Sequence, residues 1–194
     1  GFESHRKILP GRRRRSAAEI PPPSKTAPRT MTQVTKEQIG RRLLATIRDT
    51  RILWDNDSAI AVTDLIRQGA DLDQRDDLGN TALHLAADYG YQNLMEDLIQ
   101  GKANVNAVNN FGNTPLLCTI YGSIDTHRIL IAGGADINAK NSAGETALMK
   151  AAEFCRVGLA LLLLQRGANP LEKDNKGLTA FDKNKARLNE TLTA

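Results

Sequence analysis

The sequence predicts an all-α fold in which helix–turn–helix units are stacked in a row. The first observation is a motif that starts at a glycine and recurs along the chain: GNTALHLAA at Gly79, GNTPLLCTI at Gly112, GETALMKAA at Gly144 and GLTAF at Gly177. The copies are spaced by 33, 32 and 33 residues. Self-similarity at such a period is the signature of a solenoid of repeated units.

A second motif stays in phase with the first. It reads QGADLD at Gln68, GKANVN at Gly101, GGADIN at Gly133 and RGANPL at Arg166. Each copy follows a run of apolar residues at helical spacing, which is typical of an amphipathic helix that packs on a core. Two motifs that keep the same period leave little room for chance.

These motifs resemble the ankyrin repeat family, whose pattern is D-x-x-G-x-T-P-L-H-x-A-A followed by a helix that ends in L-L-x-x-G-A-D/N-V-N-A. The resemblance covers about residues 36–190. It implies an ankyrin repeat solenoid with β-turn fingers between the helix pairs. We expect an ankyrin domain over 31–194, with an N-terminal capping unit at 36–75, full repeats at 76–108, 109–140 and 141–173, and a partial or capping repeat at 174–194.

The N-terminal unit lacks the first motif but has its own helix signals. Thr35 and Gln38 form a capping box that predicts the start of a helix. Apolar residues then follow at spacings of four: Ile39, Leu43 and Ile47. We expect Trp54 to cover the exposed end of the core.

Within the repeats, residues with special backbone preferences stand at equivalent positions. One threonine in each motif is placed to cap the helix that follows: Thr81, Thr114, Thr146 and Thr179. Glycines after the second helices favour a left-handed conformation: Gly69, Gly134 and Gly167. Lys102 occupies this position in one unit, which predicts a cost of about 1 kcal/mol unless Gly101 takes over the role.

The positive charge is concentrated in the first thirty residues. The chain carries a net charge of +4, but residues 1–30 alone carry +6 and five of the seven prolines, which leaves −2 for residues 31–194. Few large apolar residues accompany them, so we predict a flexible basic tail whose centre is Arg12, Arg13, Arg14 and Arg15. Met31 is an alternative start of the protein, in which case the tail is a leader or upstream sequence.

Motifs for catalysis and for cofactor or metal binding are not found. The three histidines, His5, His84 and His127, stand in different contexts without a nucleophile motif, and no phosphate-binding or dinucleotide-binding loop is present. Cys118 and Cys155 lack metal-ligand spacing and are predicted to be free thiols. The apolar run at 159–164 is far shorter than a membrane span of about 18 residues. We therefore predict a protein without enzymatic activity, cofactor, metal or membrane span.

The resemblance implies that the finger tips and the exposed side of the first helices bind a partner protein. The corresponding finger residues are Asp77, Leu78, Asn80, Asn110, Phe111, Asn113, Ser142, Ala143 and Glu145. The corresponding helix residues are Asp88, Tyr89, Tyr121, Glu153 and Phe154. Four of these are aromatic and recur at repeat spacing, and we name them the aromatic ladder: Tyr89, Phe111, Tyr121 and Phe154.

Two alternatives apply to individual positions of this surface. Loop residues such as Asp77 can simply be solvated. Tyr121 can pack locally, since its unit is one residue short and has Thr119 and Ile120 where alanines are usual, which predicts a shortened first helix. On the opposite side, Val157 and Leu161 stand at positions that are usually polar, so a second contact or a dimer site is an alternative there.

The main functional hypothesis is a monomeric, cytoplasmic, non-catalytic module that sequesters, inhibits or scaffolds another protein. A narrower alternative is a regulatory or immunity-type protein that inhibits or protects against one partner enzyme, and the sequence does not separate it from a general adaptor. One alternative is that Arg12 to Arg15 bind nucleic acid or an anionic surface, or direct nuclear import. The tail lacks the interleaved aromatic residues that stack on bases, which argues against nucleic acid. Another alternative is a secreted effector that engages host proteins, and a periplasmic location also stays open.

Overall fold

The structure is a computed structural model that describes residues 35–49, 56–120 and 122–185. The described part is all-helical, with eight helices bounded as follows: α1 Lys36–Asp49, α2 Asn56–Arg67, α3 Ala82–Tyr89, α4 Gln92–Gln100, α5 Pro115–Cys118, α6 Ile124–Ala132, α7 Ala147–Glu153 and α8 Val157–Gln165. Residues 180–185 are also helical. The arginines of the basic tail, Trp54 and Tyr121 lie outside the described residues.

The helices form two rows. Within each unit the first helix packs on the second, as α3 packs on α4 and α7 on α8. Between units the first helices pack on one another in the order α1, α3, α5 and α7, and the second helices do so in the order α2, α4, α6 and α8. The repeat spacing in the sequence therefore corresponds to one helix pair per unit.

The core lies between the two rows and is made of the predicted apolar positions. Leu43, Ile47, Leu83 and Leu98 are fully buried. The alanines of the first helices, including Ala86, are buried as well, which lets neighbouring helices approach closely. The fold class predicted from the periodicity is confirmed.

Most helix caps follow the predicted pattern. Thr35 and Gln38 form the expected capping box, with bonds of 2.9 Å and 3.2 Å, and the Oγ1 of Thr146 accepts from the amide of Met149. Thr114 is the residue that departs from the prediction. It stands at the N-cap of α5, but its buried hydroxyl makes no hydrogen bond within the described residues.

Each finger is a turn organised by one aspartate or asparagine. The Oδ1 of Asp76 accepts from the amides of Leu78 and Asn80, and the Oδ1 of Asn109 accepts in the same way from Phe111 and Asn113. Asn141 and Asp174 repeat the arrangement in the next two fingers. These side chains compete with helix formation and favour turns, so the chain leaves the helical conformation at every repeat.

Candidate functional site

The fingers are joined to one another by backbone hydrogen bonds. The amide of Asn110 donates to the carbonyl of Leu78, and the amide of Ser142 donates to the carbonyl of Phe111, each at 3.0 Å. The amide of Asn175 donates to Ala143 in the same way. Because equivalent atoms are used each time, the finger tips are held in a fixed order along the stack.

Two finger tips present large apolar side chains to solvent. Leu78 is 53% exposed and Phe111 is 57% exposed, and they occupy the same position in successive fingers. The equivalent residues in the next two fingers are Ala143 and Lys176. Large apolar side chains at this finger-tip position are therefore confined to the first two fingers.

The other predicted finger residues divide into two groups. Asp77, Asn110, Ser142 and Ala143 are exposed. Asn80 and Asn113 instead connect units. The Oδ1 of Asn80 accepts from Asn109, and the carbonyl of Asn113 lies 2.9 Å from the Nε2 of His84.

Glu145 also serves the fold. Its carboxylate lies 2.7 Å from Lys150 and 2.8 Å from Lys183, and it accepts from Asn141. Burial alone would raise the pKa of Glu145, but the hydrogen bonds from the two lysines and Asn141 outweigh burial and lower the pKa to about 2. The role of Glu145 in binding a partner stays a prediction, and in the free chain its carboxylate already pairs with two lysines.

The aromatic ladder is not a row of exposed rings. Tyr89 and Phe154 are only partly exposed and pack against the core, and Tyr89 meets Tyr91 edge-on with ring centroids 5.5 Å apart. Phe111 is the ladder member that is more than half exposed among the described residues. Their places in the fold account for the difference, because Tyr89 ends α3 and Phe154 caps α7 beside the core, whereas Phe111 stands on a finger turn.

Depressions lie beside the first fingers. One of about 520 Å³ lies between the end of α1, the first finger and the end of α3, and a second of about 320 Å³ lies between α3 and α5. Both are lined by Asn80, Leu85 and Asp88. A third, of about 360 Å³, continues along α1. The predicted residues Asp77, Leu78, Asp88 and Tyr89 thus come together around one depression.

The sequence interpretation missed the contribution of α1. Arg48 and Asp49 line the 520 Å³ depression, and Arg41 lines its neighbour. The first unit carries no copy of the finger motif, so no repeat signal could assign these residues to a binding surface. Their place opposite Asp77 follows from the packing of α1 on α3.

Comparison with protein families agrees with this architecture. A family described as ankyrin repeats (3 copies) matches residues 53–141, and one described as ankyrin repeats (many copies) matches residues 130–183. Together these matches span well over half of the 194 residues.

The chain belongs to the ankyrin repeat family.

The similarity to individual relatives covers only a part of the chain. The ankyrin chain is 41% identical over 63 residues to neurogenic locus notch homolog protein 1 of Homo sapiens and 43% identical over 63 residues to the same protein of Danio rerio. It is 43% identical over 63 residues to neurogenic locus notch homolog protein 2 of Homo sapiens. These matches cover 32% of the chain, but only 2–3% of the relatives.

Ionisable groups on the ankyrin units are buried without being activated. Burial lowers the pKa of His84. Burial and then Asp88 raise the pKa of Cys118 to about 12, which keeps this thiol protonated and unreactive. Ankyrin repeats are typically non-catalytic interaction modules.

Two further features are absent from the described ankyrin residues. No group of three or more His, Cys, Asp or Glu side chains there could hold a metal ion. In the same part of the chain, no helix combines the length and the apolar character that crossing a membrane requires.

Proposed function

We propose that this ankyrin chain binds a partner protein through the first two fingers and the depressions beside them. We name this region the finger surface and define it by Asp77, Leu78, Asp88 and Phe111. Ankyrin repeats generally mediate protein–protein interaction, so the family supports the class of function. The location on this chain is inferred from exposure and geometry.

The observation that carries the proposal is the pair Leu78 and Phe111. Both are large apolar side chains that are more than half exposed, and both stand on turns fixed by side-chain and backbone hydrogen bonds. A rigid apolar anchor loses little conformational freedom when a partner covers it. Such anchors carry much of the binding energy of an interface.

The neighbouring depressions supply the polar part of the same surface. Asp77 and Asp88 are exposed carboxylates at the wall of the 520 Å³ depression, and Arg48 lies across from them. Charges of both signs around an apolar centre favour a specific partner over non-specific adhesion. A narrower form of the proposal is that the partner is an enzyme which the chain inhibits or protects against.

A capture experiment tests this proposal. The full chain is used as bait in an extract of its native source, beside a Leu78→Ser/Phe111→Ser variant and a Leu161→Gln control. Leu161 is 55% exposed and lies on α8, so the control removes a similar apolar side chain from another surface. We expect the double variant to lose the partner that wild type and control both enrich, with an unchanged melting temperature. Equal enrichment by all three baits would contradict the proposal.

A further inference from the structure

The unit at 109–140, which we name the short unit, has an incomplete first helix. Helix α5 has four residues, whereas α3 has eight and α7 has seven. It ends before Thr119 and Ile120, whose equivalents in α3 and α7 are alanines. Branched side chains lose rotamer freedom in a helix, and the Oγ1 of Thr119 donates to the carbonyl of Leu116 at 2.8 Å, a bond that competes with helix continuation. The residues themselves therefore shorten this helix.

A buried hydroxyl at the start of α5 has no hydrogen bond. Thr114 is buried at the N-cap, and its Oγ1 has no partner within the described residues. The equivalent hydroxyls in the neighbouring units are bonded. The Oγ1 of Thr81 lies 2.9 Å from the Nδ1 of His84, and the Oγ1 of Thr146 accepts from the amide of Met149. Burial without a partner costs Thr114 free energy that contact with water would return.

The second helix of the short unit contains another buried atom without a partner. The Nε2 of His127 has no hydrogen bond within the described residues, and the equivalent residues of α4 and α8 are apolar, Met95 and Ala160. Outside the short unit, such an atom occurs in the described residues at the Oε2 of Glu153, which still lies 3.6 Å from the ammonium of Lys150. The uncompensated polar atoms are thus concentrated in one unit.

The short unit has a complete unit on each side. Its first helix packs on α3 and α7, and its second helix packs on α4 and α8. In a stack of repeats each unit contacts only its neighbours, so a unit with neighbours on both sides normally opens last. The shortened helix and the two unpaired buried atoms act against this order, because they weaken the unit itself.

We propose that the short unit opens locally while the units at 76–108 and 141–173 stay folded. Opening exposes the hydroxyl of Thr114 and the imidazole of His127 to water, which removes the cost of burying them. The closed unit is restored by the packing of its helices on both neighbours. The short unit is therefore a conformational switch within the stack, with a closed and an open state.

The switch has a consequence for the finger surface, because Phe111 stands on the finger of the short unit. In the closed state the amide of Asn110 donates to the carbonyl of Leu78, and the amide of Ser142 donates to the carbonyl of Phe111. Opening breaks both bonds and releases Phe111 from its fixed place beside Leu78. A partner that needs both anchors binds only the closed fraction of the chains. This consequence rests on the proposed function, whereas the opening itself does not.

Native-state hydrogen exchange of the full, free chain tests the opening. Leu98, Leu130 and Leu163 are equivalent, fully buried residues of α4, α6 and α8. We expect the amide of Leu130 to exchange faster than the other two, although it lies in the central unit.

Two variants test the cause. Thr114→Val removes the unpaired hydroxyl at nearly constant shape and should slow exchange in α6 about tenfold, with α8 unchanged. Thr146→Val is the matched control. It makes the same change where the hydroxyl caps a helix, so it should speed exchange in α8.

Three results would overturn this proposal. Protection of Leu130 equal to or above that of Leu98 and Leu163 would show that the central unit opens last. Unchanged exchange of α6 in Thr114→Val would show that the buried hydroxyl does not promote opening. Equal changes in all three helices with either variant would show that the stack opens as a whole. Each result leaves the proposed function untouched, because the exchange is measured without a partner and capture by the finger surface is tested separately.

Discussion

At the scale of the residue, Lys102 holds a conformation that favours glycine. Its φ is +71°, while Gly101 has an ordinary φ of −69° and ends α4. The possibility that Gly101 replaces the missing glycine is therefore wrong. An added Cβ at Gly101 would lie 2.9 Å from the Cδ1 of Leu72, so a larger residue there would need the Leu72 side chain to shift.

We predict that Lys102→Gly raises the free energy of unfolding by about 1 kcal/mol, because a left-handed side chain costs energy that glycine avoids. Denaturant unfolding monitored by circular dichroism gives this value. Gly134→Ala is the matched control, since Gly134 has a φ of +93° with open space around it, and it should lose stability by a similar amount. A Lys102→Gly variant with unchanged or lower stability would contradict the conclusion that the left-handed conformation of Lys102 costs free energy.

His127 is a second residue that costs the folded state free energy. Its side chain is fully buried on α6, its Nδ1 lies 2.8 Å from the carbonyl of Ser123, and its Nε2 has no hydrogen-bond partner within the described residues. Since a carbonyl only accepts, Nδ1 carries the proton and Nε2 is an unsatisfied acceptor. Burial lowers the pKa of His127, and Arg156 lowers it further against the effect of Ser123.

We predict that His127→Met stabilises the protein by about 1 kcal/mol, since an unsatisfied buried group is removed. Met95, the equivalent residue of α4, is fully buried, so a methionine fits this position of a second helix. The pH dependence should change as well. In wild type the unfolded histidine binds a proton below its ordinary pKa of 6.5, whereas the folded histidine binds one only at lower pH. Stability therefore falls as pH drops below 6.5. The pH dependence of the free energy of unfolding should be roughly halved in the variant, since His84 contributes the rest. An unchanged pH dependence would contradict the contribution of His127.

At the scale of the element, a cluster of charges fixes the last described helix to the preceding finger. Lys183 lies 2.8 Å from Glu145 and 3.1 Å from Asp174, with 12% of its side chain exposed. Lys150 adds a second cation to Glu145. Since few large apolar residues of 180–185 are buried, these ion pairs are a main attachment of that helix.

We predict that Lys183→Met lowers the free energy of unfolding at pH 7 by about 2 kcal/mol, because two shielded carboxylates lose their shared cation. Lys140→Met is the control. Lys140 pairs with Glu172 at a more exposed site and should cost less than about 1 kcal/mol.

The same cluster predicts that the protein loses stability in acid. The pKa of Glu145 falls from 4.5 to about 2 on folding, so its stabilisation is present above pH 4.5 and is lost as pH falls toward 2. Lys183→Met should flatten this acid limb in urea titrations at several pH values. An acid limb identical to that of wild type would show that the cluster contributes nothing.

Helix α5 shows how far element prediction from sequence reaches. The missing residue between Gly112 and Gly144 predicted a shortened first helix, and α5 has four residues where α3 has eight. The prediction succeeded because repeat length is a local property of the chain. The burial of Tyr89 and Phe154 depends on which side chains the neighbouring helices bring, and a single repeat pattern does not contain that information.

At the scale of the whole molecule, the all-helical repeat architecture could be predicted, and the surroundings of the individual finger residues only in part. Leu78 and Phe111 were recognised because finger tips stand at fixed positions of the repeat. Arg48 and Asp49 were missed because α1 lacks the motif. The ion pair of Glu145 with Lys183 was not predicted, because Lys183 is 38 residues away along the chain and the pair is a tertiary contact.

The central claim is that the finger surface holds the partner protein. Hydroxyl-radical footprinting of the captured complex tests it most directly, since the oxidation rate of a side chain reports its solvent access. The account predicts that Leu78 and Phe111 are oxidised in the free chain and protected in the complex, while exposed Leu161 on α8 reacts equally in both. Protection of Leu161 with unchanged oxidation of Leu78 and Phe111 would contradict the account.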